Sequence, residues 1–154
     1  MRNRDSTSGK LRILIDTSFL LPALGVEVEN EILEAIRFFR RIEVLYLELG
    51  LIEAIWKVLK LVPLEKLDRV RIGIEAIKKT YELIEPPPEA YVEAIKIYRQ
   101  GHRDYVDAMH YATAKACKVQ WLTIDYEFIS FLEKRGYPVH GIVITPKELK
   151  TLLK

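Results

Sequence analysis

The chain has 154 residues, a length that suits one domain with its own hydrophobic core. Apolar residues make up 49% and charged residues 30%, a balance that argues against disorder, and no apolar run approaches the ~20 residues that span a bilayer. A net charge of +2 is too small to announce nucleic acid by itself, and the single Cys117 excludes an internal disulfide framework and fits a reducing cytoplasm.

Residues 1–10, with Arg2, Arg4 and Lys10, read as a flexible arm that lacks the apolar core of a signal peptide; the domain is expected over 11–154. Leu11-Arg12-Ile13-Leu14-Ile15 reads as a buried strand ending at Asp16, with Thr17-Ser18 starting a helix. Val28, Ile32, Ala35, Ile36 and Phe39 recur at helical spacing, so a helix is expected over roughly 27–41. Val44-Leu45-Tyr46-Leu47 is the second strand. Helix follows from Leu51 to Lys60 and stops before Pro63, which suits the start of another helix or of a pair divided near Gly73. Tyr81-Glu82-Leu83-Ile84 reads as a strand, and Pro88 starts a helix that Gly101 closes. The remainder alternates: helix 104–117, strand 119–124, helix 126–135, strand 139–144 and a terminal helix from Pro146. Five strands alternating with helices predict an α/β domain, a mostly parallel sheet covered on both faces. Cys117 falls in the helical pattern after Ala112 and is expected as a small buried residue. Abundant Lys, Arg and Glu beside only four amides (Asn3, Asn30, Gln100, Gln120) resembles thermophile composition.

Parallel strands place their carboxyl ends on one edge, where acids suit a divalent metal better than packing. Asp16 and Asp125 each follow a strand, and Asp107 lies in the first turn of a helix. If the two strands are neighbours, the carboxylates meet. Bland readings stand beside this one. Asp104 and Asp107 have capping-box spacing, Asp16 and Asp125 can open their helices, and Glu53 can pair with Lys57 at i, i+4 on a solvated stripe. His110, three after Asp107 on the same helix face, could bind a softer transition metal with it but is expected to pack inward with Tyr111 and Met109, while His102 and His140 read as loop or strand-edge residues. No Cys/His spacing suggests structural zinc, and no glycine-rich Lys motif is present. A dehalogenase-type phosphatase needs a second Asp where Ser18 stands.

Ile-Leu-Ile-Asp16-Thr17-Ser18, Asp107-Ala108-Met109-His110-Tyr111-Ala112-Thr113-Ala114 and Leu122-Thr123-Ile124-Asp125 together resemble the motifs of the PIN domain family, most closely its VapC-type toxin ribonucleases. The resemblance covers about residues 11–146. It implies a metal-dependent endoribonuclease in which Asp16, Glu53, Asp107 and Asp125 hold Mg²⁺ or Mn²⁺. Glu48 is the rival for the Glu53 role. Ser18 and Thr123 match small polar residues that steady the site, and Asp104 is an auxiliary acid or simply an N-cap. RNA as substrate, a homodimer, an antitoxin partner and a cytoplasmic location follow by the same resemblance, with no membrane association. Helices around Ile32, Phe38, Phe39, Ile55 and Trp56 are expected to carry the protein contacts. The alternative is a PIN-fold binding module without activity. The chain departs from the pattern in having Leu49-Gly50-Leu51-Ile52, not Ser/Thr-Pro, before Glu53.

Overall fold

The computed structural model describes residues 9–154; the expected arm lies outside the described residues except for Gly9 and Lys10, both exposed. In chain order the elements are β1 (Arg12–Ile15), α1 (Asn30–Ile36), β2 (Glu43–Tyr46), α2 (Glu48–Leu61), α3 (Leu67–Thr80), β3 (Glu82–Leu83), α4 (Pro88–Arg99), α5 (Tyr105–Cys117), β4 (Gln120–Leu122), α6 (Tyr126–Lys134), β5 (Val143–Ile144) and α7 (Pro146–Leu152), with short 3₁₀ turns between several of them. Among the described residues no helix is long and apolar enough to cross a membrane.

All strand pairings are parallel, in the order β3-β2-β1-β4-β5. Ile13 of β1 pairs with Val44 of β2 on one side and with Gln120 of β4 on the other. The chain winds outward through β2 and β3, then returns past β1 to β4 and β5. That reversal creates a switch point, where the connections leaving two neighbouring strands diverge and open a crevice at their carboxyl ends.

The period-2 alternation of each strand divides its side chains between two cores. Ile13, Ile15, Val44, Tyr46, Leu122 and Ile144 face a layer that includes Ile32 of α1, Ala54 of α2, Ile77 of α3 and Leu149 of α7. Leu14, Leu45, Trp121 and Val143 face α4, α5 and α6 through residues such as Ala94, Ala108 and Phe128. Both faces are therefore covered, which is why the strands are continuous apolar runs.

Several boundaries differ from the sequence expectation. The helix expected over 27–41 is shorter: α1 ends at Ile36, and a 3₁₀ turn at Phe39–Arg41 brings the chain into β2. α2 starts at Glu48, one turn earlier than expected. The strand expected over 139–144 reduces to Val143–Ile144, because the Val139 carbonyl accepts from the Ile142 and Val143 amides and Gly141 takes φ 81°. Cys117 is exposed, not buried: burial along α5 ends at Ala114, and the last turn projects past the layer that covers it. Ile32 and Phe39 are ordinary core at 1% and 7% exposure, whereas Trp56 is 52% exposed.

Gly73 does not divide two helices; α3 runs through it. A Cβ at this position would lie 2.0 Å from the Ala23 carbonyl oxygen and 2.7 Å from its carbon. The glycine lets α3 seat directly on the 3₁₀ turn at Pro22–Leu24. Helix propensity and packing therefore oppose each other here. In an exposed helix interior, Gly→Ala stabilises by about 1 kcal/mol. Gly73→Ala is expected to destabilise by about 1–3 kcal/mol through overpacking against backbone. The urea midpoint measures it, and a stabilised variant would show that α3 is free to shift away from Ala23.

Candidate metal centre

The centre is built at the switch point between β1 and β4. Asp16 leaves β1, and its amide donates to the Leu122 carbonyl of β4 at 3.1 Å, carrying the pairing one residue beyond the strands. Its side chain is held on both oxygens. Oδ1 accepts from the Thr17 amide at 2.8 Å, and Oδ2 accepts from Thr123 Oγ1 at 2.8 Å. Thr123 Oγ1 in turn accepts from the Asp125 amide at 3.1 Å, so one hydroxyl ties together the two strand ends that carry acids. Asp16, Thr17 and Thr123 are buried.

Asp107 enters from the first turn of α5 and is 5% exposed. Asp104 is the N-cap of this helix, accepting from the Asp107 amide at 3.1 Å. The capping reading of Asp104 is therefore correct, and its charge also acts on Asp16, Glu53 and Asp107. Asp125 is likewise an N-cap, accepting from the Phe128 amide of α6 at 2.9 Å. The same two carboxylates both cap helices and face the crevice.

Glu53 is half-buried on α2, where burial and the charges of Asp104 and Asp16 push its carboxyl up. Lys57, the partner in the solvated-stripe reading, opposes this only weakly. Glu48 is turned away: five residues on a helix amount to about 140° of rotation, and Glu48 Oε2 lies 3.6 Å from Lys78 Nζ. Ser18 lines a groove of about 440 Å³ with Leu21, Val28, Lys57 and Leu61 and makes no hydrogen bond to the acids. Its neighbour Thr17 makes that contact instead.

His102, read from the sequence as a loop residue, stands inside the centre. Its Nε2 lies 3.6 Å from Asp107 Oδ2, and one donor atom from each of His102, Asp107 and Asp125 lies within 4.8 Å of the other two. The carboxylates of Asp16 and Glu53 lie outside that set. His110 packs inward as expected, fully buried, with Nδ1 bonded to the Val106 carbonyl at 2.8 Å.

The electrostatics of this cluster are unfavourable without a cation. Burial, then a proton shared with Asp125, then the charges of Asp16, Asp104 and Asp125 push the Asp107 carboxyl up to about 11. Burial also raises Asp16, opposed by His110 and by the Thr123 and Thr17 hydrogen bonds. Burial works upward on Asp125 too, but the Asp107 proton, the Phe128 amide and His102 hold it below the usual carboxylate range. Burial lowers His102 and His110. Two carboxylates ~4 Å apart repel by about 4 kcal/mol at an effective dielectric near 20. Asp107 Oδ2 is buried and accepts no hydrogen bond. A buried oxygen with a free lone pair beside further carboxylates fits a hard divalent cation such as Mg²⁺ or Mn²⁺, for which oxygen is the preferred ligand.

A carboxyl whose pKa is higher in the folded than in the unfolded chain takes up a proton on folding. Its contribution to stability is therefore complete below the ordinary value of 3.8 and falls as pH rises toward about 11. The metal-free protein is expected to lose up to ~1.4 kcal/mol per pH unit from Asp107 alone across this window. Asp107→Asn is expected to remove that decline. Urea unfolding in chelator at pH 5 and pH 8 checks it, and an unchanged slope would show that Asp107 ionises in the fold without cost.

Comparison with known proteins agrees with this geometry. No curated protein matches the chain. Among solved structures, a protein of Pyrobaculum aerophilum is 18% identical, with a TM-score of 0.60 over 93% of this chain and 95% of that one. VapC20 of Mycobacterium tuberculosis, a toxin that cleaves the sarcin–ricin loop, is 18% identical, with a TM-score of 0.58 over 82% and 96%. VapBC2 of Rickettsia felis, bound to a DNA fragment from its promoter, is 14% identical, with a TM-score of 0.61 over 88% and 98%. At these identities the likeness is one of fold. The PIN domain family model matches residues 13–132, most of the chain, and with the five-stranded parallel sheet and the acids at its switch point this places the protein in the PIN domain family.

Proposed function

We propose that this chain is a divalent-metal-dependent endoribonuclease and the toxin of a toxin–antitoxin pair. The observation that carries the reading is Asp107 Oδ2, a buried carboxylate oxygen without a hydrogen bond, beside Asp125 and within the field of Asp16. Burial of that kind is stable only with a cation or a proton. The likeness in fold to VapC20 and VapBC2 supports the toxin part of the reading.

Asp16, Glu53, Asp107 and Asp125 would hold the ion. When bound, a divalent cation supplies Lewis-acid polarisation of a phosphate oxygen and a more acidic water. The chain's own groups do the rest. Thr123 and Thr17 fix the Asp16 carboxylate, so its orientation does not depend on the ion. The N-cap bonds of Asp104 and Asp125 lock the acids to the ends of α5 and α6. Asp104 stands close enough by charge to orient a water at the rim. Ser18, on its separate groove, belongs in this reading to a surface beside the centre.

Two exposed apolar stripes support protein partners. On α2 and the turn after it, Ile52, Trp56, Leu59, Leu61 and Leu64 are 38–83% exposed. On α4, Tyr91, Val92, Ile95 and Tyr98 are 44–52% exposed at helical spacing. A single-helix stripe meets its own copy across a two-fold axis without further adaptation, so α4 is assigned to the homodimer and the α2 stripe to the antitoxin. Ile95→Asp is expected to convert a dimer to a monomer in sedimentation; an unchanged mass would move the dimer contact off α4.

The activity is tested with an end-labelled RNA pool of mixed sequence, incubated with purified protein and Mn²⁺ or Mg²⁺. Cleavage is expected, and both chelator and Asp16→Asn are expected to abolish it. Cleavage that survives in Asp16→Asn would place the reaction elsewhere. No cleavage, together with no metal-dependent rise in melting temperature, would favour a binding module instead.

A further inference from the structure

His102 has no task in the reading above. It lies in the connection between α4 and α5, and its ring is held on one face by Phe128, with centroids 4.1 Å apart and planes at 26°. Phe131 flanks it at 5.4 Å. This packing fixes where the nitrogens point. Nε2 faces Asp107 Oδ2 at 3.6 Å, and both atoms are buried without a hydrogen-bond partner. A His–Asp hydrogen bond would close to about 2.7–3.2 Å. Two donors sharing one ion, each ~2.1 Å from it, instead stand ~3–4 Å apart. The 3.6 Å gap matches the second arrangement, and Asp125 completes a trio whose donor atoms all lie within 4.8 Å of one another.

We infer that His102 is a ligand of the divalent ion through Nε2, and that this nitrogen sets the metal preference of the centre toward Mn²⁺ or Co²⁺ and away from Mg²⁺. The inference rests on the metal-centre reading above. Its chemistry is that of donor type: Mn²⁺ takes oxygen ligands as Mg²⁺ does, but as first-row transition ions Mn²⁺ and Co²⁺ also accept an imidazole nitrogen, whereas Mg²⁺ keeps to oxygen ligands and retains its waters. Asp107 and Asp125 alone offer only oxygen. Adding His102 makes the trio a mixed set of two oxygens and one nitrogen, which a transition ion fills better than Mg²⁺.

The test is metal binding by the full-length protein, read without reference to catalysis. Calorimetric titration with MnCl₂ and MgCl₂ gives the two affinities, and pulsed electron paramagnetic resonance of bound Mn²⁺ reports a coordinated ¹⁴N. The wild type is expected to show nitrogen coupling. His102→Phe, which keeps the stack on Phe128, is expected to lose it, with Mn²⁺ affinity falling on the order of tenfold and Mg²⁺ affinity little changed. His102→Gln supplies oxygen instead and is expected to shift preference back toward Mg²⁺, a change that a packing role alone would not produce. Mn²⁺ that binds without nitrogen coupling but is lost in Asp125→Asn overturns the role of His102 and leaves the acidic centre standing. Coupling that persists in His102→Phe overturns it as well. No Mn²⁺ binding by the wild type overturns both.

Discussion

Burial of carboxylates beside one another is the constraint around which this molecule is arranged. Asp16 and Asp107 are 6% and 5% exposed, and the Asp16 charge acts on Asp107. The fold partly offsets this. Asp104 caps α5 and Asp125 caps α6, so two helix N-termini, each carrying a partial positive charge, open at the same crevice. Backbone amides from Thr17, Asp107 and Phe128 each satisfy one carboxylate oxygen. Asp107 Oδ2 is the oxygen that these devices leave unsatisfied. Under the proposed reading, a divalent cation would satisfy that oxygen.

The position of the centre follows from topology before chemistry. β1 occupies the middle of the sheet, with β2 on one side and β4 on the other. The connections leaving β1 and β4 go to different places, and the resulting crevice is the one place where neighbouring parallel strands do not bury each other's ends. Gly50 serves the same geometry from α2: a Cβ there would lie 3.1 Å from His110 Nε2, so its absence lets α2 seat close to α5 and brings Glu53 toward the acids.

Much of this was legible in the sequence because the relevant signals are local. Buried parallel strands read as short apolar runs, Pro88 and Pro146 mark helix starts, and an acid directly after a strand reveals its edge. What was not legible depended on contacts made at a distance. Gly73 looks like a helix divider until Ala23 is seen against it. Glu48 and Glu53 differ by the rotation of α2, which is fixed by its packing and not by its own residues. Cys117 continues the helical pattern after Ala112, but the buried part of α5 ends at Ala114. His102 is the clearest case. Five residues before Asp107 and in no regular element, it enters the centre because Phe128, from a later helix, supplies the surface on which its ring lies.

The hydrogen bond between Thr123 and Asp16 closes a loop of 107 residues. β1 leaves the ribosome before β2 and β4, and its pairing with β2 needs only nearby chain, but its other edge stays bare until β4 has been made. Non-local pairing of this kind slows folding and leaves Ile13, Leu14 and Ile15 open to misplaced strand partners during synthesis. It also governs when the centre comes into being. A nascent chain holds Asp16 and Glu53 well before Asp107 and Asp125 are added. A nascent chain that stops short of Asp125 lacks part of the set, so these four acids come together only after β4 has been made.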